Sequence, residues 1–200
     1  MAASRTDSKI VILVRHGQSE GNVRGIISSA IEGYPLTEKG MAQAMKASEE
    51  IASLPKIDAL YSSPVIRARQ TAEIVGKRIS MDPVFDERLR ERWFGLMEGK
   101  KEPDDNNEWK FNPKNQVLPW AELRKKMVSF VLEVPGNLVV AVSHGDNMSA
   151  ICDWTDNKGE RFHAPRCPRN CHFVIVDVSK GELIAHDVDE IPKDLIESLK

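Results

Sequence analysis

The order of apolar segments predicts an α/β fold, a three-layer sandwich with a mostly parallel central sheet flanked by helices. Two runs, Ile10-Val11-Ile12-Leu13-Val14 and Leu138-Val139-Val140-Ala141-Val142, are too short for helices and apolar at every position, as strands buried on both faces must be. Between them helical periodicity appears twice, separated by a short strand-like segment, Asp58-Ala59-Leu60-Tyr61. Each of the two apolar runs ends at a His-Gly pair, Arg15-His16-Gly17 and Ser143-His144-Gly145. Ligands of α/β sheets bind at the carboxyl ends of strands, so these two ends are the first place to seek a site.

The stretch 38–54 places Met41, Ala44, Met45, Ser48, Ile51 and Ala52 near one face of a predicted helix, with Pro55 ending it. Pro64 opens the next helix, 64–79, whose stripe is Val65, Ala68, Ala72 and Val75. From Met81 to Pro119 no period is sustained, and the segment reads as a lid or insertion, at about 92–118, within one domain spanning 1–200. A helix is predicted over 120–132, with Leu123, Met127, Phe130 and Val131 facing inward, before the breaker Pro135-Gly136-Asn137. Phe173–Val176 and Leu183–His186 around Lys180-Gly181 predict a terminal hairpin.

Composition narrows the function. Lys and Arg number 28 against 30 Asp and Glu, a net charge of -2, so no broad positive field exists for nucleic acid or an anionic membrane. Neither is an expected partner. Three cysteines cannot close a disulfide framework, and the opening MAASRTDSK is too polar for an export signal, so a cytoplasmic protein is expected. The two histidines would face one pocket if their strands are neighbours. Arg15, Arg67 and Glu91 would complete a cluster, although a solvated helix face for Arg67 and a surface charge run for Glu91 are the plain alternatives.

LVRHGQSEGN (13–22), PLTEKG (35–40), YSSPVIRARQTAEIV (61–75), ERLRERWFGLMEG (87–99) and VSHGDN (142–147) resemble, in order, the signatures of the histidine phosphatase superfamily, with its phosphoglycerate mutase-like fold. The resemblance implies phosphoryl transfer with His16 as nucleophile, Arg15 and Arg67 gripping the phosphate, and His144 as a further cationic or donor group. It makes Glu91 the acid for the leaving oxygen and then the base for the incoming one, and Asn22 the amide closing the pocket. Backbone N–H groups near Gly17 and Gly145 are expected to add donors, and Arg92, Trp93, Phe94, Lys100 and Lys101 to contact the rest of the substrate, a small anionic phosphorylated metabolite. No metal is expected, because the arginines and histidines replace it. Family relatives often form homodimers.

Gln18 stands where many members have an acidic residue, and Asp146-Asn147 departs from the mutase pattern, so that an inward-pointing Asp146 would raise the basicity of His144. The net reaction stays open. Glu98-Gly99 and the short chain favour a phosphatase needing no cofactor, whereas Glu91-Arg92-Trp93-Phe94-Gly95 favours a mutase primed by 2,3-bisphosphoglycerate that interconverts 3- and 2-phosphoglycerate. A basic cluster, Arg161, His163, Arg166 and Arg169, reads either as a carboxylate site or as a solvated loop. His163, Cys167, Cys171 and His172 offer zinc-type donors, but at a spacing unlike the common pairs.

Overall fold

The computed structural model describes residues 8–105, 107–157, 168–179 and 182–199. Among them six strands, β1 (Ser8–Arg15), β2 (Ala59–Ser62), β3 (Val84–Phe85), β4 (Leu138–Ser143), β5 (Phe173–Ser179) and β6 (Glu182–Val188), form one sheet in the order β3-β2-β4-β1-β5-β6. The pairings β3·β2, β2·β4 and β4·β1 are parallel, while β5 runs antiparallel to both β1 and β6. The sheet is therefore mixed, with β5 alone reversed. The helices are α1 (Glu20–Arg24), α2 (Glu38–Ala52), α3 (Ile66–Ile79), α4 (Trp120–Glu133), α5 (Gly145–Asn157) and α6 (Lys193–Ser198).

The period of two in β1 divides the core. Ile10, Ile12 and Val14 face a layer built by Ala44, Ala47 and Ile51 of α2 and Ala68, Ala72 and Val75 of α3. Val11 and Leu13 face the opposite layer, with Met127, Phe130 and Val131 of α4 and Met148 and Ile151 of α5. Strands covered on both sides must be apolar throughout, and every residue of β4 is buried. Each fully buried Val, Leu or Ile contributes about 1.5–3 kcal/mol of hydrophobic stabilisation.

Two sequence expectations are revised. The inward face of α2 is Ala44, Ala47, Ser48 and Ile51, whereas Met41 and Met45 are exposed. Small residues are selected there because α2 packs closely on α3. Helices α1, α5 and α6 were not anticipated: α1 has five residues, and α5 begins on Gly145 with Asp146 and Asn147 in its first turn. The lid contains no α-helix among its described residues; it is a chain of 3₁₀ turns at Gly95–Met97, Glu108–Phe111 and Pro113–Asn115. Its own small core is Phe94 and Trp109 against Ile27.

Candidate active site

Because β1 and β4 are adjacent and parallel, Arg15 registers with Ser143, and the two His-Gly pairs leave the sheet side by side. The rings of His16 and His144 lie 5.1 Å apart, centroid to centroid. The turn after β1 is held tightly. A Cβ on Gly17 would stand 2.3 Å from the carbonyl oxygen of Gly40 at the start of α2, so no larger residue fits. The Gly17 N–H donates to Thr71 Oγ1 at 3.1 Å, and Asn170 Nδ2 donates to the His16 carbonyl at 2.9 Å.

The tautomer of His16 follows from its partners. Arg67 Nε, always a donor, lies 3.0 Å from Nε2, so Nε2 carries the lone pair and Nδ1 carries the proton that goes to the Gly17 carbonyl at 2.7 Å. Burial first, then the positive charges of Arg67 and Arg15, hold His16 well below the usual histidine range. It is a neutral imidazole with its lone pair parked against a guanidinium. Arg67 is itself buried and donates a second bond to the Ser28 carbonyl at 2.9 Å. Arg15 donates to the Pro168 carbonyl, while its Nε is buried without a partner among the described residues, a donor left for an anion.

Glu91 completes the cluster from the loop after β3. Its Oε2 is 3.6 Å from Arg67 and 3.5 Å from His144 Nδ1, and its Oε1 accepts from the Arg92 N–H at 2.9 Å. Burial, followed by the charge of Asp146, raises its pKa, so the proton is retained more readily than by an ordinary glutamate. Asn147 fastens this loop to α5, donating to the carbonyls of Leu89 and Arg90 at 2.9 and 3.1 Å. His144 shares a 2.8 Å hydrogen bond with Ser63 Oγ, and burial and Arg67 hold it, too, well below the usual range. On the far side Glu91 borders a second cleft with Trp93 and Lys126, whose ammonium burial pushes down to about 8.

The cleft in front of His16 has a volume of about 290 Å³, and Arg15, Asn22, Arg67, Glu91 and Gly145 all line it. The lid supplies Phe94, Glu102, Asn107, Trp109, Lys110 and Phe111 to the same wall. Five expected substrate contacts lie elsewhere: Trp93 borders the second cleft, Lys101 is exposed and off the wall, and the other three are Arg92, Lys100 and Gly17. Arg92 is buried behind the wall, donating to the carbonyls of Leu118 (2.8 Å) and Lys110 (3.2 Å) and lying 3.5 Å from Asp146, so it braces the lid. Lys100 is exposed and off the wall; its carbonyl accepts from the Ile27 N–H and its own N–H donates to the Met97 carbonyl. Gly17 packs against α2 rather than lining the cleft.

Asp146 does not raise the basicity of His144 as anticipated. Its carboxylate turns to Lys110, at 3.0 Å, and to Arg92, and the group it perturbs is Glu91. Gln18 meets Thr37 Oγ1 at 3.0 Å, away from His16. Ser63, Thr71, Asn170 and Lys110 were not read from the sequence; Ser63 precedes Pro64 and carried a signal only as part of a strand end. Of the zinc and basic-cluster residues, Arg161, His163, Arg166 and Cys167 lie outside the described residues. His172 pairs with Asp189 at 2.9 Å, and no group of metal-ligating side chains occurs among the described residues.

A sequence profile of the histidine phosphatase superfamily (branch 1) matches residues 11–190. The chain belongs to that superfamily. It is 33% identical over 183 residues to the 2,3-bisphosphoglycerate-dependent phosphoglycerate mutase of Thermoplasma acidophilum, covering 88% of this chain and 90% of that protein. Among solved structures it resembles phosphoglycerate mutase from Bacillus anthracis, with a TM-score of 0.76, 18% identity and coverage of 92% and 94% of the two chains. It also resembles a mycobacterial glucosyl-3-phosphoglycerate phosphatase, with a TM-score of 0.65, 20% identity and coverage of 92% and 98%. The superfamily chemistry is phosphotransfer, and members of this fold carry both mutase and phosphatase names. No helix among the described residues is long and apolar enough to cross a membrane.

Proposed function

We propose that the protein is a phosphatase that passes the phosphoryl group of a small phosphate monoester first to His16 Nε2 and then to water. The observation that carries this reading is the charge of the cleft wall. Among the described residues it holds three cations, Arg15, Arg67 and Lys110, and three carboxyl groups, those of Glu91, Glu102 and Asp146. Lys110 is paired with Asp146, which leaves the two arginines beside His16, enough to clamp one phosphate dianion. A mutase must hold a bisphosphate and a carboxylate together, and the described residues of this wall include no second group of cations for them.

In the first step Arg67 gives up its bond to Nε2 and turns to the phosphate oxygens, and the Nε2 lone pair attacks phosphorus. The phosphorus–oxygen ester bond breaks as Glu91 hands its proton to the departing alcohol oxygen. In the second step Glu91, now ionised, takes a proton from water, the hydroxide oxygen attacks phosphorus, and the phosphorus–nitrogen bond breaks to restore neutral His16. The Nδ1–H bond to the Gly17 carbonyl holds the ring orientation through both steps. Arginine charge does what a metal ion does in other phosphotransferases, so activity is expected to persist in chelator.

The identity to the Thermoplasma acidophilum mutase favours the alternative, interconversion of 3- and 2-phosphoglycerate primed by 2,3-bisphosphoglycerate. Phosphorus NMR of the protein with 3-phosphoglycerate, with and without the bisphosphate, together with a generic phosphate ester, separates the two. Inorganic phosphate as the product of the ester, with no 2-phosphoglycerate, supports the phosphatase. Formation of 2-phosphoglycerate dependent on the bisphosphate and faster than phosphate release overturns it.

A further inference from the structure

We infer that Arg92 is a positioning residue for Glu91, fixing the acid by tying its loop to the lid, an inference that rests on the phosphatase reading above. Residues 91–94 have no regular secondary structure and lie between the 3₁₀ turns Glu87–Leu89 and Gly95–Met97. No ladder or helix fixes the acid there, so its aim depends on what holds the residues on either side. On the N-terminal side Asn147 and Lys126 both donate to the Arg90 carbonyl, at 3.1 and 2.7 Å. On the C-terminal side the neighbour is Arg92, whose N–H donates to Glu91 Oε1 at 2.9 Å while Oε2 lies beside Arg67 and His144.

The side chain of Arg92 fixes where that N–H points. It is 1% exposed and does not line the cleft in front of His16, so it acts from outside substrate contact. Its Nε donates to the Leu118 carbonyl at 2.8 Å and one Nη to the Lys110 carbonyl at 3.2 Å, and the Leu118 N–H donates in turn to the Trp93 carbonyl at 2.8 Å. The other Nη lies 3.5 Å from Asp146, and the guanidinium carbon stands 5.4 and 5.2 Å from the ring centres of Phe111 and Trp120. A planar fork with fixed donors matches such a set of partners, and a lysine ammonium does not reproduce it.

Loss of that fork frees the peptide that carries the Glu91 Oε1 donor. The carboxyl is then no longer fixed beside Arg67 and His144, and proton transfer, which needs hydrogen-bond reach, falls while His16, Arg15 and Arg67 keep their own supports. A brace that served the lid alone would weaken the reaction of every ester alike.

The test compares kcat/KM for 2-phenylethyl phosphate and 4-nitrophenyl phosphate, each carrying one ring, in the wild type, Arg92→Lys and Arg92→Met. The alkyl ester needs a proton on its departing oxygen, whereas nitrophenolate leaves without one. In both variants the alkyl ester is expected to lose about 10- to 100-fold and the nitrophenyl ester less than about threefold, the signature of a displaced acid. Both esters are assayed on one preparation with phosphate trapped on His16, so the ratio does not depend on how much of the protein is folded. Combined with Glu91→Gln, Arg92→Lys is expected to add no further change in the ratio, because the group it positions has lost its proton. Should the Arg92 variants not fold, Trp120→Leu, which removes one ring beside the guanidinium and leaves both carbonyl acceptors, is expected to shift the ratio in the same direction. Equal losses for the two esters in the variants that fold, or a selective loss that persists in full beside Glu91→Gln, overturn the inference; a wild type that labels His16 and releases phosphate leaves the phosphatase reading intact. A wild type that gives no His16 label from either ester overturns both readings.

Discussion

At the phosphate end of the cleft, His16 and His144 stand directly on β1 and β4 in a parallel register, and their turns are closed by Gly17 against Gly40 and by Asn147 against the Leu89 and Arg90 carbonyls. At the alcohol end, Trp109, Lys110 and Phe111 ride on a 3₁₀ turn, joined to the rest by Arg92, by the Lys110–Asp146 ion pair and by a three-residue apolar core. One end takes its geometry from the buried sheet, which tolerates little displacement. The other takes it from a few side-chain contacts and from backbone bonds between 99–102 and 25–27 at the base of the lid, which substitution can rearrange without disturbing the sheet. Chemistry common to a superfamily belongs on the first kind of support, and choice of substrate on the second.

The largest effects are expected at the sheet end. His16→Ala removes the proposed nucleophile, and phosphate label on the protein is expected to disappear altogether; label that persists on that variant would place the nucleophile elsewhere. Glu91→Gln keeps the shape of the side chain but has no proton to give, and kcat/KM for alkyl phosphates is expected to fall by about 10²–10⁴. Aryl phosphates with good leaving groups suffer less, and equal losses for both ester types would contradict the assignment of Glu91 as acid.

Much of this end was legible because its logic is local to the strands. Ile10–Val14 and Leu138–Val142 could only be buried strands, and each delivers a histidine at its end. The stripe Val65, Ala68, Ala72, Val75 placed Arg67 in the first turn of α3, and all four are fully buried. Helix α5 escaped notice because Asp146, Asn147 and Asp153, all buried, stand among its inward-facing residues and break the apolar period. The lid was unreadable for a related reason. Arg92 holds it through the Leu118 and Lys110 carbonyls, and bonds to backbone carbonyls leave no residue-type pattern. The same fact moved Arg92 from an expected substrate contact to a brace.

Acid is expected to act on the sheet end before the lid. His16 and His144 are both depressed by burial, so the unfolded chain binds more protons below about 6.5 than the folded one does. Stability is unaffected by these groups above that value and is lost as pH falls, by up to about 1.4 kcal/mol per pH unit for each histidine. Thermal unfolding of the unliganded protein across pH 5–8 checks this. A midpoint that rises on acidification would show that the histidines are not held neutral.

The smallest effect links the two ends. Asp146→Asn withdraws one of the charges that raises Glu91, so the alkaline limb of kcat/KM, above which Glu91 has lost its proton, is expected to move to lower pH. The same change releases Lys110, and hydrolysis of 3-phosphoglycerate is expected to improve by a few-fold relative to glycerol 1-phosphate, in line with one partly exposed charge contact. A limb that stays in place, with no gain toward the glycerate, would mean that the two ends are independent.

The most direct measurement is phosphorus NMR and mass spectrometry of protein quenched during turnover of a phosphate ester in ¹⁸O-labelled water. A single phosphohistidine is expected at position 16, linked through Nε2 because Nδ1 holds its proton against the Gly17 carbonyl, with one solvent oxygen in the released phosphate. Phosphate bonded through Nδ1, or turnover with no phosphohistidine at all, would contradict it.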